Sequence, residues 1–187
     1  MSRAPSSITA HSTSIVCLDT DLRGTITIGA GVIVHPKATI FAAAGPIVIG
    51  DNCVIEEDSI IINRHKEIMR IGEQNHFMVG CRVEAPSIGD YNTFQPRCTV
   101  SSQVAISDHC ILSAGTIALL APGSDTTREV LPPYTVIYGA DSSRRIWDGS
   151  GEASELALRA RHSEYLREIL PKYVISGRDI RFASDVC

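Results

Sequence analysis

The residues best able to do chemistry in this 187-residue chain are six histidines and six cysteines. The histidines are His11, His35, His65, His76, His109 and His162; the cysteines are Cys17, Cys53, Cys81, Cys98, Cys110 and Cys187. An imidazole can ligate zinc or serve as a general base, and a thiolate can do either job or act as a nucleophile. No cysteine pair has CxxC spacing, so a zinc ribbon is not expected. Whether histidines far apart in the chain can meet depends on the elements that carry them.

Those elements follow a period of six, which matches neither the alternation of a strand nor the 3.6 of a helix. The stretch IGDNCVIEEDSIII places Ile49, Ile55 and Ile61 six apart. Upstream the series runs Ala10, Val16, Leu22, Ile28, Val34, Ile40. Downstream it resumes as Ile71, Phe77, Val83, then Ile88, Phe94, Val100, Ile106, Leu112, Ala118, and ends at Val130 and Val136. Ile-Gly recurs at every third hexad: Ile28-Gly29, Ile49-Gly50, Ile71-Gly72 and Ile88-Gly89. Three hexads therefore make one turn. A hexad is a short extended piece and a corner, three close a triangle, and stacked triangles form a parallel β-helix with coils about 4.8 Å apart. The recurrent aliphatics point into the prism. The glycine after each is expected to serve a corner of positive φ, and Asp51-Asn52 and Asp90 to Asn92 are turn chemistry.

Four residues beyond each inward aliphatic lie mostly small or β-branched residues, and Cys53, Cys81, Cys98 and Cys110 occupy that slot. They read as small buried hydrophobes in a row rather than as ligands or nucleophiles. The register breaks at INRHKEIMR, a corner loop carrying Arg64, His65, Lys66 and Arg70, and again between Leu119 and Glu129, where Ser124 falls on an inward position. After VIYGADSSRR a Gly/Ser spacer leads to a segment without Gly or Pro up to Pro171. Its apolar side holds Leu156, Ala160, Leu166, Leu170 and Tyr173, with Leu158 and Tyr165 opposite. The organisation expected is an all-β solenoid. An N-terminal extension (1–9) precedes a β-helix of about seven triangular coils (10–141), followed by a linker (142–151), a C-terminal α-helix (152–173) and a tail (174–187).

On this scaffold His76 and His109 lie two coils apart, about 9 to 10 Å along the axis, and His35 lies two coils from His76 on the other side. Within one chain the three cannot share a zinc ion, whose nitrogen ligands sit about 2.0 to 2.1 Å from it. His65 or His76 could be nominated as the base of an acyltransferase, but no carboxylate legible in the sequence orients either ring. Composition excludes other classes. A net charge of −4 with only short basic spots, Arg144-Arg145 and Arg159 to His162, gives no footprint for nucleic acid. The start lacks a secretory pattern and no apolar run reaches about 20 residues, so a cytoplasmic protein with reduced thiols and no membrane insertion is expected. No catalytic, cofactor-binding or metal residue is assigned.

Several segments together carry a resemblance: LRGTITIG (22–29), VHPKATI (34–40), AGPIVIG (44–50), SIIIN (59–63), TVIYGAD (135–141) and EILPKY (168–173). In order and spacing the chain resembles the dynactin subunit 6 family. The resemblance implies a left-handed crossover and a non-catalytic scaffold of the pointed-end complex, in cytoplasm and cytoskeleton. The implied partners are dynactin subunit 5 (itself a β-helix), dynactin subunit 4 and the pointed-end actin-related protein, with dynein and cargo adaptors reached indirectly. The alternative is a hexapeptide-repeat enzyme, either an acyltransferase or a homotrimer like the gamma-class carbonic anhydrases. The close histidine pair of the latter family is absent, and Asp141 stands where such transferases usually carry proline.

Overall fold

A computed structural model describes residues 7–120 and 127–170. The hexads form three parallel faces of a triangular prism. The first face stacks Ser7–Ala10, Thr25–Ile28, Ile47–Ile49, Met69–Ile71, Ser87–Ile88, Val104–Ile106 and Glu129–Leu131. The second stacks Ile15–Val16, Ile33–Val34, Val54–Ile55, His76–Phe77, Thr93–Phe94, Ile111–Leu112 and Thr135–Tyr138, and the third runs from Asp21–Arg23 to Ile117–Ala118. Among the described residues six coils have all three sides, and a seventh has two. Where its third side would follow, Ser143–Ile146 turns back and pairs antiparallel with Thr135–Tyr138.

The repeated aliphatics fill the prism in columns set by the registers. Val16, Val34, Ile55, Phe77, Phe94, Leu112 and Ile137 stack on the second face, with the two Phe rings 4.6 Å apart and parallel within 4°. Every one of these side chains is buried, and stacking like on like at one coil spacing is what keeps a core this narrow dense.

Two sequence expectations do not hold. First, after the 119–129 irregularity, part of which (121–126, including Ser124) lies outside the described residues, the inward positions are Leu131 and Ile137, not Val130 and Val136. Ile106 pairs with Leu131 and Leu112 with Ile137; Leu131 is 1% exposed and Val130 65%.

Second, the glycines of the Ile-Gly pairs have no positive φ. The left-handed residues sit two positions later, at Gly31, Asn52, Gln74, Tyr91, His109 and Tyr134. Gly29, Gly50, Gly72 and Gly89 are required because the next coil's backbone passes against them. A Cβ on Gly50 would lie 2.6 Å from the carbonyl of Gly72, and one on Gly72 would lie 2.6 Å from that of Gly89. The aspartates beside them tie coils together: Asp51, Asp90 and Asp108 accept from the backbone N–H of Ala30, Glu73 and Asp90 at 2.7 to 2.8 Å.

The slot four residues on, besides its small residues, also holds buried asparagines. Asn75 donates to the Gly72 and Gly89 carbonyls, and its own oxygen accepts from the N–H of Asn92, which accepts in turn from Cys110.

Candidate functional site

The helix Glu152–Ile169 lies along the second face, antiparallel to the coil axis. Glu152 meets His109, and Glu155 accepts from Thr93 at 2.8 Å. Arg159 donates to the carbonyls of Gln74 and Asn92 at 3.2 and 3.4 Å, His162 reaches His76, Leu166 packs on Ile33 and Val54, and Arg167 donates to Gly31. The geometry explains the fit. Fourteen residues of helix advance about 21 Å, and the four coil steps from Ile111 back to Ile33 advance about 19 Å. One turn of helix therefore meets about one coil. The docked side is largely polar, with Leu166 as its buried apolar anchor. Arg159, not Ala160, faces the coils, and Leu158 and Tyr165 point outward at 69% and 58% exposure. Tyr173 lies outside the described residues.

Coil stacking and, at His109, the helix bring carboxylates and imidazoles together in a way that sequence spacing hid. His35 Nδ1 lies 2.8 Å from Glu57 Oε1, and His109 Nδ1 pairs with Glu152 while its ring stacks between Tyr91 and Tyr134. His76 Nε2 lies 2.7 Å from Glu56 Oε1, and the other oxygen of Glu56 accepts from the Val79 N–H at 3.0 Å. The expectation that no carboxylate orients His76 is thus overturned: Glu56 stands one coil away and does so. The signal was Glu56 directly after Ile55 and His76 directly before Phe77, two inward residues that are register partners. Burial pushes the Glu56 carboxyl up, but its bond to His76 and the charge there outweigh burial and hold it below the usual range. His76 remains two coil steps from His35 on one side and from His109 on the other, and each of the three has its own carboxylate.

His11 is exposed and bonded to Thr13. His65 sits in the 64–68 corner, where its Nε2 bonds the Ser102 carbonyl at 2.7 Å and its Nδ1 contacts Arg128. That corner is pinned: Asn63 donates to Pro46 and Glu67, and Arg64 pairs with Glu84 at 2.5 Å. Lys66 and Arg70 are exposed.

Cys17, Cys53, Cys81, Cys98 and Cys110 are free and buried; Cys187 lies outside the described residues. Cys53 donates to the Gly72 carbonyl at 3.1 Å and Cys110 to that of Pro132 at 3.4 Å. Burial pushes the thiols of Cys53 and Cys81 up to about 12 and that of Cys110 to about 11, so they stay protonated and unreactive. The cavity beside His76 is only about 10 Å³. A larger hollow of about 370 Å³ opens by the last coil, lined by Glu129, Leu131, Thr135, Arg144 and Ile146 among others, without His or Cys. Among the described residues no helix is long and apolar enough to cross a membrane.

No model of a known protein family matches the chain. Among solved structures it is similar to a hexapeptide transferase family protein from Anaplasma phagocytophilum. That match has a TM-score of 0.71 at 15% identity and covers 91% of this chain and 95% of that one. A likeness at that identity establishes the fold, a left-handed parallel β-helix, and not an activity. Sequence relatives are more informative. The chain is 38% identical to dynactin subunit 6 of Danio rerio over 86% of its length and 82% of the relative's. It is 36% identical to dynactin subunit 6 of Xenopus tropicalis and of Nematostella vectensis, again over 86% of its length and over 79% and 86% of theirs. With identity at this level along nearly the whole solenoid, the chain belongs to the dynactin subunit 6 family.

Proposed function

We propose that this chain is a non-catalytic scaffold subunit of the dynactin pointed-end complex, in cytoplasm and cytoskeleton. In this reading it pairs with dynactin subunit 5 and sits with dynactin subunit 4 and the actin-related protein, supporting cargo attachment by dynein and dynactin. The observation that carries the reading is the family membership. The geometry supports it in two ways. A small-molecule site is a concave pocket of about 300 to 1,000 Å³ with convergent polar groups. Of the two hollows described, the one at a histidine has room for about one water, and the one large enough has no histidine or cysteine in its lining.

The surface, by contrast, suits docking. Exposed Ile117, Val130 and Tyr138 lie on three different faces of the last coils, whereas Leu158, Tyr165 and Ile169 share the outer side of the helix at spacings of seven and four. Apolar side chains grouped this way are the usual mark of a protein–protein surface.

The test is co-expression with dynactin subunit 5 followed by native mass measurement, and recovery of the tagged chain from cytosol. A heteromer with subunit 5, and the remaining pointed-end subunits recovered from cytosol, are the expected results. A homotrimer that binds coenzyme A or hydrates carbon dioxide, with no dynactin subunit attached, overturns the reading.

A further inference from the structure

We propose that Glu56, His76 and His162 form a divalent transition-metal site of the zinc class that fastens the C-terminal helix to the β-helix. One ligand atom from each residue, two ring nitrogens and a carboxylate oxygen, all lie within 4.8 Å of one another. Around a tetrahedral ion with bonds of about 2.0 to 2.1 Å the ligand atoms are about 3.4 Å apart. His76 Nε2 and Glu56 Oε1 stand at 2.7 Å and open slightly when an ion replaces the proton between them. His162 closes in by turning a half-exposed side chain.

Glu56 and His76 are buried at 9% and 8% exposure, and the second oxygen of Glu56 is held by the Val79 N–H, so two of the three ligands are already fixed. Two imidazoles and a carboxylate are a donor set zinc favours, and three protein ligands leave a fourth position for water. The cavity of about 10 Å³ lined by His76, His162, Gln74 and Ser163 is close to the size of one water. Arg159 lines the same cavity, but its charge is paired to Glu155 at 2.6 Å and its Nη1 donates to the carbonyls of Gln74 and Asn92.

The ligands come from two adjacent coils and from a helix more than 80 positions later in the sequence. An ion held there binds the docked state only and stabilises it by mass action. No three-fold assembly is needed, because all three ligands belong to one chain.

The experiment titrates the chelator-treated full chain with Co²⁺. Expected are uptake of one ion per chain, the intense visible d–d bands of a four-coordinate site, their loss on adding Zn²⁺, and a rise in Tm with Zn²⁺. His162→Gln, on the half-exposed helix side, keeps the metal-free circular dichroism spectrum and Tm. It weakens Co²⁺ binding by more than about 100-fold, beyond what loss of a supporting outer contact costs. His162→Cys restores binding and adds a thiolate-to-cobalt charge-transfer band. Absence of saturable uptake, a weak six-coordinate spectrum, equal affinity in His162→Gln, or no charge-transfer band in His162→Cys each overturns the site.

Discussion

Replacing Gly72 by alanine tests the packing of the coils directly. Gly72 has no left-handed φ, so alanine costs nothing in backbone conformation there. The new Cβ falls deep inside van der Waals contact with Asp90 Oδ1 and 2.6 Å from the Gly89 carbonyl oxygen. The carboxylate can swing aside only by giving up the 2.8 Å bond it accepts from the Glu73 N–H, and a bond to a charged group contributes about 1.5 to 3 kcal/mol. The Gly89 carbonyl belongs to the backbone of the next coil, and forcing extra atoms against such a neighbour costs about 1 to 3 kcal/mol. Together the loss should be about 3 to 5 kcal/mol. The control is Gly115→Ala, where a Cβ meets nothing within 4 Å but φ is 69°. That change costs about 1 kcal/mol, the left-handed penalty less a gain from a stiffer unfolded chain. Urea unfolding followed by far-ultraviolet circular dichroism separates the two. With a slope near 2 kcal/mol per molar, Gly72→Ala moves the midpoint down by about 1.5 to 2.5 M and Gly115→Ala by about 0.5 M. Equal shifts would refute the idea that coil-to-coil contact, rather than turn conformation, selects these glycines.

Leu131→Ala should cost about 2 to 5 kcal/mol by opening a cavity, whereas Val130→Ala should stay within about 0.5 kcal/mol; urea midpoints decide, and the reverse order restores the uncorrected register. The buried thiols of Cys17, Cys53, Cys81, Cys98 and Cys110 should resist Ellman's reagent in the folded protein at mildly alkaline pH and react together in guanidinium, and labelling of any of them in the folded chain contradicts their raised pKa values. Burial pushes Glu84 up, but its bonds to Arg64 and Arg82 outweigh that and lower its pKa. Its stabilising contribution is therefore complete above the unfolded value of about 4.3 and is lost as pH falls through the lower folded one. The urea midpoint should drop over that range, and Glu84→Gln should flatten the drop.

The fold was legible because one large aliphatic in six is a rare pattern that only a narrow triangular prism accommodates, and Ile49, Ile55 and Ile61 sit inside it as their spacing implies. The phase beyond residue 120 was not legible. A loop of unknown length erases the count, and Val130 and Leu131 are equally apolar. The role of the Ile-Gly glycines is not legible in sequence, because positive φ and close backbone approach both select glycine and only the neighbouring coil distinguishes them. Among the left-handed positions themselves, Gln74, Tyr91 and His109 are residue types that carry no turn signal.

The histidines were the least legible because their partners are set by stacking. Glu56 and His76 are 20 residues apart in sequence and 2.7 Å apart in space. The other pairings with the helix come from a match of two repeats, about 5.4 Å per helical turn against about 4.8 Å per coil. That match has a consequence for the scaffold. Because each helical turn meets about one coil, the helix reads the second face of the prism as a ladder and fastens to successive coils through Glu152, Glu155, Arg159 and Leu166. A slip by one turn would take Arg159 off the Gln74 carbonyl and Glu155 off Thr93, and would move Leu166 off Ile33 and Val54. Polar contacts that differ from coil to coil are therefore what fix the register of a helix lying on a surface whose repeat would otherwise admit several.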